Sequence, residues 1–138
     1  MDVVDRGTRS RMMSGIRGKN TKPERTVRSF LHRAGFRFRL HANLPGRPDV
    51  TLPRFRAVVF VHGCFWHRHP DCRYSTTPAS NIAFWQAKFA ENRKRDALVK
   101  QQLRRLGWRV HVVWSCEVNQ RKMDALIARL RSDERKVR

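Results

Sequence analysis

The apolar run Ala57-Val58-Val59-Phe60-Val61 passes without a break into the segment 61–72, VHGCFWHRHPDC. That junction constrains the fold more than any other part of the chain. A short run of β-branched and aromatic residues reads as a buried strand. The segment that follows it holds two of the three cysteines and three of the six histidines. Thiols and imidazoles at this density suggest a metal site, and Phe65-Trp66 is apolar just where a loop should be polar. Reactive groups set on the end of a core strand are a usual form of active site.

Charge narrows the partner. Lys and Arg number 31 against 11 acids, a formal net charge of +20. Such an excess points to a polyanion, nucleic acid before an anionic membrane, although a merely solvated basic surface is the plainer alternative. No apolar stretch approaches the roughly 20 residues that span a bilayer, and MDVVDRGTRSRMM lacks the apolar core of a signal peptide. The expectation is a soluble, cytoplasmic, nucleoid-associated prokaryotic protein, monomeric and without a membrane partner. There, an odd number of cysteines fits a metal site better than a disulfide framework. At 138 residues the chain suits one domain.

Residues 1–20 are polar and basic, with Gly7, Gly15 and Gly18 breaking any long helix. They read as a basic arm with a short helix around Arg9–Ile16, either a clamp on the nucleic-acid backbone or a frayed terminus. Residues 21–138 form the domain. Thr21 can cap a helix, Pro23 suits its first turn and Glu24 completes a capping box. Val27, Phe30, Leu31 and Ala34 then recur at helical spacing up to Gly35. Phe36–His41 alternates aromatic and basic residues as a half-buried strand does. After the turn Asn43–Pro48 come a short strand, Asp49–Leu52, and the buried strand 56–61. A long helix over about 80–106 follows, with Ile82, Trp85, Phe89, Asn92, Asp96, Val99, Leu103 and Leu106 at three-four spacing. Trp108–Trp114 reads as another buried strand, and Met123, Leu126, Ile127 and Leu130 mark a terminal helix. The order α-β-β-β-α-β-α describes an α/β fold, a small mixed sheet covered by helices.

Cys64, Cys72 and Cys116 with one histidine make a closed tetrahedral set of the kind that holds structural zinc. Spacing leaves the histidine open: Cys64-x-x-His67 and His69-x-x-Cys72 have equal claim. The alternative is three free thiols acting as small hydrophobes. Acids are scarce enough to be informative. Asp49 opens a strand beside the one ending at Val61, Asp96 and Asn92 interrupt the apolar stripe of the long helix, and Glu24 lies on an inward face. Buried carboxylates are costly unless paired or bound to metal, so these acids suggest a hard-cation site such as Mg2+. Capping by Glu24, pairing of Asp96 with an arginine and a turn role for Asp49 are the structural alternatives. Phe65 and Trp66 can stack on bases or wedge between them, or form a satellite hydrophobic cluster. Periodicity alone places Trp85 in the core.

The strings Pro45-Gly46-Arg47-Pro48-Asp49, Val61-His62-Gly63-Cys64-Phe65-Trp66-His67-Arg68-His69, Phe84-Trp85, Asn92-x-x-x-Asp96, Leu106-Gly107-Trp108-Arg109-Val110 and Trp114-x-Cys116 closely resemble the very short patch repair (Vsr) DNA mismatch endonucleases. The likeness includes Thr8-Arg9-Ser10 and Glu24, and so runs over nearly the whole chain. It implies a restriction-endonuclease-like fold, one structural zinc and a Mg2+-dependent site. The implied activity is nicking of duplex DNA on the 5′ side of the thymine in a T:G mismatch left by 5-methylcytosine deamination. By that resemblance zinc falls to Cys64, His69, Cys72 and Cys116, and magnesium to Asp49 with the backbone carbonyl of Val61. His62 and His67 become catalytic, with His67 the general base, and Glu24 and Asp96 support them. Phe65, Trp66 and Trp85 become a wedge at the mismatch, with Arg47 a further DNA contact, and mismatch-repair proteins a partner class.

The chain carries Val61 where family members can carry Thr, and Pro70-Asp71 between His69 and Cys72. Two other readings remain at this stage: a non-catalytic zinc-containing DNA-binding module, and a sequence-specific restriction-type nuclease of the same fold. The absence of an acid-x-Lys pair on strand 56–61 weighs against the latter.

Overall fold

The computed structural model describes residues 21–137, with side chains through Asp133. The expected arm 1–20, its helix at Arg9–Ile16 and the Thr8-Arg9-Ser10 string lie outside the described residues. In chain order the elements are α1 (Lys22–Arg33), β1 (Val50–Leu52), a 3-10 turn (Pro53–Phe55), β2 (Ala57–His62), the single turn α2 (Cys64–His67), α3 (Ile82–Arg105), β3 (Arg109–Trp114), a second 3-10 turn (Ser115–Glu117) and α4 (Gln120–Val137). The sheet runs β1-β2-β3. β1 is antiparallel to β2, pairing Val50 with Val59, and β3 is parallel to β2, from Ala57–Arg109 to His62–Trp114. A mixed sheet flanked by helices is what the sequence led us to expect.

The central strand is apolar on both sides because helices cover both of its faces. Ala57 and Val59 point to α1 and α4, joining Val27, Leu31, Met123, Leu126 and Leu130 in the larger core. Val58 and Phe60 point the other way and pack with Leu103 and Val99 of α3. Side chains alternate along a strand, so His62 continues the Val58–Phe60 face and emerges under α3. The same alternation on β3 sends Val110 and Val112 toward α3, and Trp114 follows them.

Two local expectations change. Phe36–His41 is not a strand: a single antiparallel bridge, Arg39–Thr51, is all that forms. β1 is three residues long, and the chain turns away at His41, whose φ is 48°. The aromatic alternation still reports burial, since Phe36 is buried and packs 5.1 Å from Phe55. On α3, Phe89 and Leu103 are buried, whereas Ile82 and Leu106 at its ends are exposed. A helix of 24 residues is about 36 Å long, whereas a six-residue strand covers about 20 Å. The helix therefore outruns the sheet, and its first turns have other partners. No helix among the described residues is long and apolar enough to cross a membrane.

Gly46 shows how the turn before β1 is placed. It has φ +72°, and a Cβ there would lie 2.5 Å from Cγ1 of Val99 and 3.3 Å from Cε1 of Phe60. The turn thus rests directly on α3 and β2. Gly46→Ala is expected to cost about 2–4 kcal/mol, from left-handed strain plus overpacking. Urea unfolding checks this, and an unchanged midpoint would contradict the close approach.

Candidate active site and metal centre

Asp49 sits between that turn and β1, and its carboxylate accepts the Val61 N–H at 2.6 Å. β1 stops pairing at Val59, so this hydrogen bond continues the ladder by side chain where backbone pairing ends. In a strand a residue's N–H and C=O point to the same edge, which turns the Val61 carbonyl toward Asp49 as well. Burial pushes the Asp49 pKa up to about 6, and the nearby Glu24 carboxylate adds to this; the Val61 hydrogen bond and the charge of Arg28 pull the other way. Glu24 is buried and its carboxylate takes a 3.1 Å bond from Arg28, one turn along α1. Its backbone N–H lies 3.5 Å from the Thr21 hydroxyl, so Thr21 caps the helix as expected.

His62 ends β2 and His67 ends α2. The Gly63 carbonyl accepts from the His67 N–H, and this one tight turn folds the two imidazoles onto each other, stacked at 3.9 Å and 7°. Nδ1 of His67 is 2.7 Å from the Asp96 carboxylate on α3. Although burial opposes it, the His67 hydrogen bond and charge hold Asp96 below the usual carboxylate pKa. The pair leaves Nε2 of His67 as the ring's remaining nitrogen. His62, His67 and Asp96 approach closely enough to be considered as a metal group. Parallel rings argue against that, because imidazoles coordinate in their own planes and parallel planes share no point. The chemistry suited to this cluster is proton transfer.

These groups line one cleft of about 500 Å3, with Arg47, Trp66 and Asn92. Asn92 donates to the Trp66 carbonyl at 3.1 Å, tying α3 to α2. Asn92 and Asp96 thus face the α2 turn and cleft, not the sheet itself. Sequence reasoning passed over His41, Lys88, Glu91 and Arg95, which also line the cleft. Their only signal was position, on a turn or one helical turn from a recognised residue.

Burial drives the His62 pKa down to about 3, helped by the charge of His67. A histidine with a folded pKa below its unfolded value binds fewer protons when folded. Its contribution is therefore complete above pH 6.5 and is lost as pH falls from there toward 3, at up to about 1.4 kcal/mol per pH unit. Asp49 has the opposite sign, gaining its proton more readily in the folded state. His62→Phe keeps a flat ring and is expected to gain stability relative to the unmodified chain across pH 6.5 to 3. Thermal melts of the two proteins over that range provide the check, and a pH-independent difference would count against a neutral, buried His62.

The aromatic groups pack on one another. Phe65 meets Trp66, Trp85 and Phe89 at 5.0, 5.5 and 5.2 Å, and Trp66 lies 5.6 Å from Trp85. Trp85 therefore packs neither in the sheet core nor alone: the overhanging part of α3 carries it against α2. Phe84 is exposed beside it. Arg68 covers Phe89 at 4.0 Å and ties down the following loop through the carbonyls of Ser75 and Thr76.

The second cluster lies behind α2. Cys64, His69, Cys72 and Cys116 offer ligand atoms all within 4.8 Å of one another. His69 Nδ1 is 3.7 Å from Cys64 Sγ and 3.3 Å from Cys116 Sγ, and Cys72 Sγ is 3.7 Å from Cys116 Sγ. A tetrahedral ion with Zn–S near 2.3 Å and Zn–N near 2.0 Å has S–S edges of about 3.8 Å and S–N edges of about 3.5 Å. The donor set fits a metal of that size. It is His69, not His67, that joins the thiols. Burial, reinforced by Cys64 and Cys72, pushes the Cys116 thiol up to about 12, a crowding that a divalent cation would relieve. Glu117 lies 3.7 Å from Nε2 of His69, leaving Nδ1 for the thiols, and Ser115 Oγ is 3.3 Å from both the N–H and the sulfur of Cys64. Neither was foreseen, though both flank Cys116.

The carboxylates of Glu24, Asp49 and Asp96 and two stacked histidines, beside three thiols and one imidazole that could hold a metal, in a chain of +20, are the equipment of a nuclease. The family model for DNA mismatch endonuclease Vsr matches residues 1–74. The chain belongs to the Vsr endonuclease family. It is 50% identical over 122 residues to type II nicking enzyme V.XorIIP of Xanthomonas oryzae pv. oryzae, covering 88% of each chain. It is 41% identical over 133 residues to DNA mismatch endonuclease Vsr of Escherichia coli, covering 94% of this chain and 85% of the relative. Type II nicking enzyme V.NmeAIP of Neisseria meningitidis is 42% identical over 118 residues, covering 85% and 84%. The mixed sheet flanked by helices agrees with the Vsr nuclease fold, and the resemblance read from HGCFWH and its companion strings is thereby established.

Proposed function

We propose that this Vsr-family endonuclease nicks duplex DNA 5′ of the thymine in T:G mismatches, using Mg2+ at Asp49 and a structural zinc held by Cys64, His69, Cys72 and Cys116. The observation that carries the chemical part is the 2.7 Å pair of His67 and Asp96 at the cleft. With Nδ1 engaged by the carboxylate, Nε2 is the ring atom available to take a proton from an attacking water. Asp96 holds the imidazole in that orientation and stabilises the imidazolium that forms. His62, neutral at ordinary pH, presents an N–H to a phosphate oxygen.

Asp49, with the Val61 carbonyl beside it, is an oxygen donor set of the kind that would hold Mg2+, and Glu24, on the same cleft, would support it. When bound, that metal supplies charge stabilisation for the attacking and leaving oxygens. Phe65, Trp66 and Trp85 form the wedge: their mutual packing makes a rigid apolar edge beside the cleft, suited to a base step that stacks poorly. Arg47, at the cleft rim, meets the phosphate backbone. The mismatch preference is carried over from the names of the family and of the Escherichia coli relative, and nicking from those of the other two. Duplex DNA in the cytoplasm is the partner, with mismatch-repair proteins a candidate class. A non-catalytic DNA-binding module would have no use for the His67–Asp96 pair.

The deciding assay compares nicking of a T:G duplex with that of the matched T:A duplex, with and without Mg2+. We expect a nick in the T strand of the T:G duplex, only with Mg2+, and weakening of binding with salt through counterion release. Equal nicking of both duplexes would overturn the mismatch reading, and full activity without added divalent metal would overturn the role of Mg2+.

A further inference from the structure

Among the described residues, the His62 side chain makes no hydrogen bond; three rings surround it. It stacks on His67 at 3.9 Å, lies 5.8 Å from Phe60, and meets the edge of Trp114 at 5.4 Å and 72°. The other partner of the Trp114 indole is His69, against which it stacks at 4.4 Å and 14°. Trp114 is thus the wall between the Cys/His metal group and the cleft, with a histidine of each on either side.

Its place there follows from the fold. The parallel register pairs Trp114 with His62, and strand alternation puts both side chains on the α3 face. Two residues on, Cys116 lies 3.3 Å from the same His69, and the intervening Ser115 binds the Cys64 N–H. The indole is therefore anchored through one short segment to the Cys/His cluster. An imidazole without a hydrogen-bonding orienter can turn about its side-chain torsions unless packing prevents it, and reacting groups must be held within about half an ångström of their working geometry.

We propose that Trp114 is a positioning residue, setting the ring of His62, and through their stacking that of His67, on the frame of the Cys/His metal group. This rests on the reading of His62 and His67 as catalytic. The metal group then does more than staple the loop, because Trp114 carries its rigidity across the wall into the cleft. Removing the indole should loosen His62 without removing any group that touches DNA, the attacking water or the metal.

The test uses the full-length, metal-loaded chain with Trp114→Leu and Trp114→Phe. Single-turnover nicking of a T:G duplex, duplex affinity, metal content, and the ring nitrogen and proton resonances of His62 and His67 are compared with those of the unmodified protein. For Trp114→Leu we expect a rate about tenfold lower or less, affinity within about twofold, unchanged metal content, and broadened or displaced ring resonances for both histidines. Trp114→Phe, which keeps a flat ring between His69 and His62, should restore most of the rate. Unchanged histidine resonances in Trp114→Leu would overturn the proposal. So would equal losses of rate in the Leu and Phe variants that track loss of metal and of thermal stability. His67→Ala separates the two layers: full nicking by that variant would overturn the catalytic reading, while the ring resonances of His62 would still report on Trp114.

Discussion

Asp49→Asn is expected to abolish nicking while making the metal-free cleft more stable. The loss should be at least about 10³-fold, since the change removes the carboxylate proposed to bring Mg2+ to the phosphate, a contribution of several kcal/mol. The stability gain follows from the raised pKa. Burial moves Asp49 from 3.8 to about 6, so the folded chain binds this proton more tightly than the unfolded one. Its contribution is favourable while the group is protonated and falls as pH rises through that interval. At pH 7.5, with Asp49 ionised, the shift corresponds to a cost of about 3 kcal/mol. Asparagine is neutral and its amide oxygen can still accept the Val61 N–H. Without added divalent metal, the Asn variant should melt on the order of 10 °C higher at pH 7.5, and the gain should vanish below pH 4. A melting temperature that falls at both pH values would mean that Asp49 serves the turn and not a cation.

Serine at Cys64 should act in the opposite way. Cys64 is 3% exposed and opens α2, the turn that ends in His67. Structural zinc sites contribute apparent binding energies of about 10–16 kcal/mol to folding in small domains, so losing one thiolate should cost several kcal/mol here. We expect the metal content to drop, the melting temperature to fall by at least about 10 °C, and nicking to fail as α2 loses its tether. Cys116→Ser should share the loss of metal, because Cys116 is the proposed ligand that ties the loop to the end of β3. Metal analysis with calorimetry checks both variants. Full metal content with an unchanged melting temperature would reduce the cluster to a group of packed thiols. Together with Asp49→Asn, these variants separate the two proposed metal sites by sign: one change raises stability and stops chemistry, the others lower both.

Much of this architecture was legible because it is written at short range. The apolar run ending at Val61 marked the central strand to within a residue, and Thr21 and Gly35 bounded α1 by local chemistry. Phe36–His41 shows the limit of such reading. Its alternation correctly marked Phe36 as buried, but ladder formation needs a partner of matching length, and β1 is too short to offer one. The stripe on α3 failed at Ile82 and Leu106 for a related reason. Helical spacing reports which residues share a face, not where the opposing sheet ends. Glu117, Ser115 and the cleft residues Lys88 and Glu91 left no pattern to detect, since single polar residues acquire a role only from what folding brings opposite them.

By itself the sequence determined most of the element types, the helix-covered mixed sheet, the strongly basic charge and the family. It also singled out the cysteines and histidines of the segment 61–72 as candidates for chemistry. It left His67 and His69 equivalent as partners for the thiols on spacing, and placed Trp85 ambiguously. Only the tertiary structure separated them. A left-handed Arg68 (φ 55°) ends α2 between the two histidines, so that His67 turns to Asp96 and His69 to Cys116. The parallel register of β2 and β3 then sets Trp114 between the two clusters. Periodicity is a property of neighbours in the chain, whereas this convergence depends on sheet register and on a crossover helix, which involve contacts dozens of residues apart.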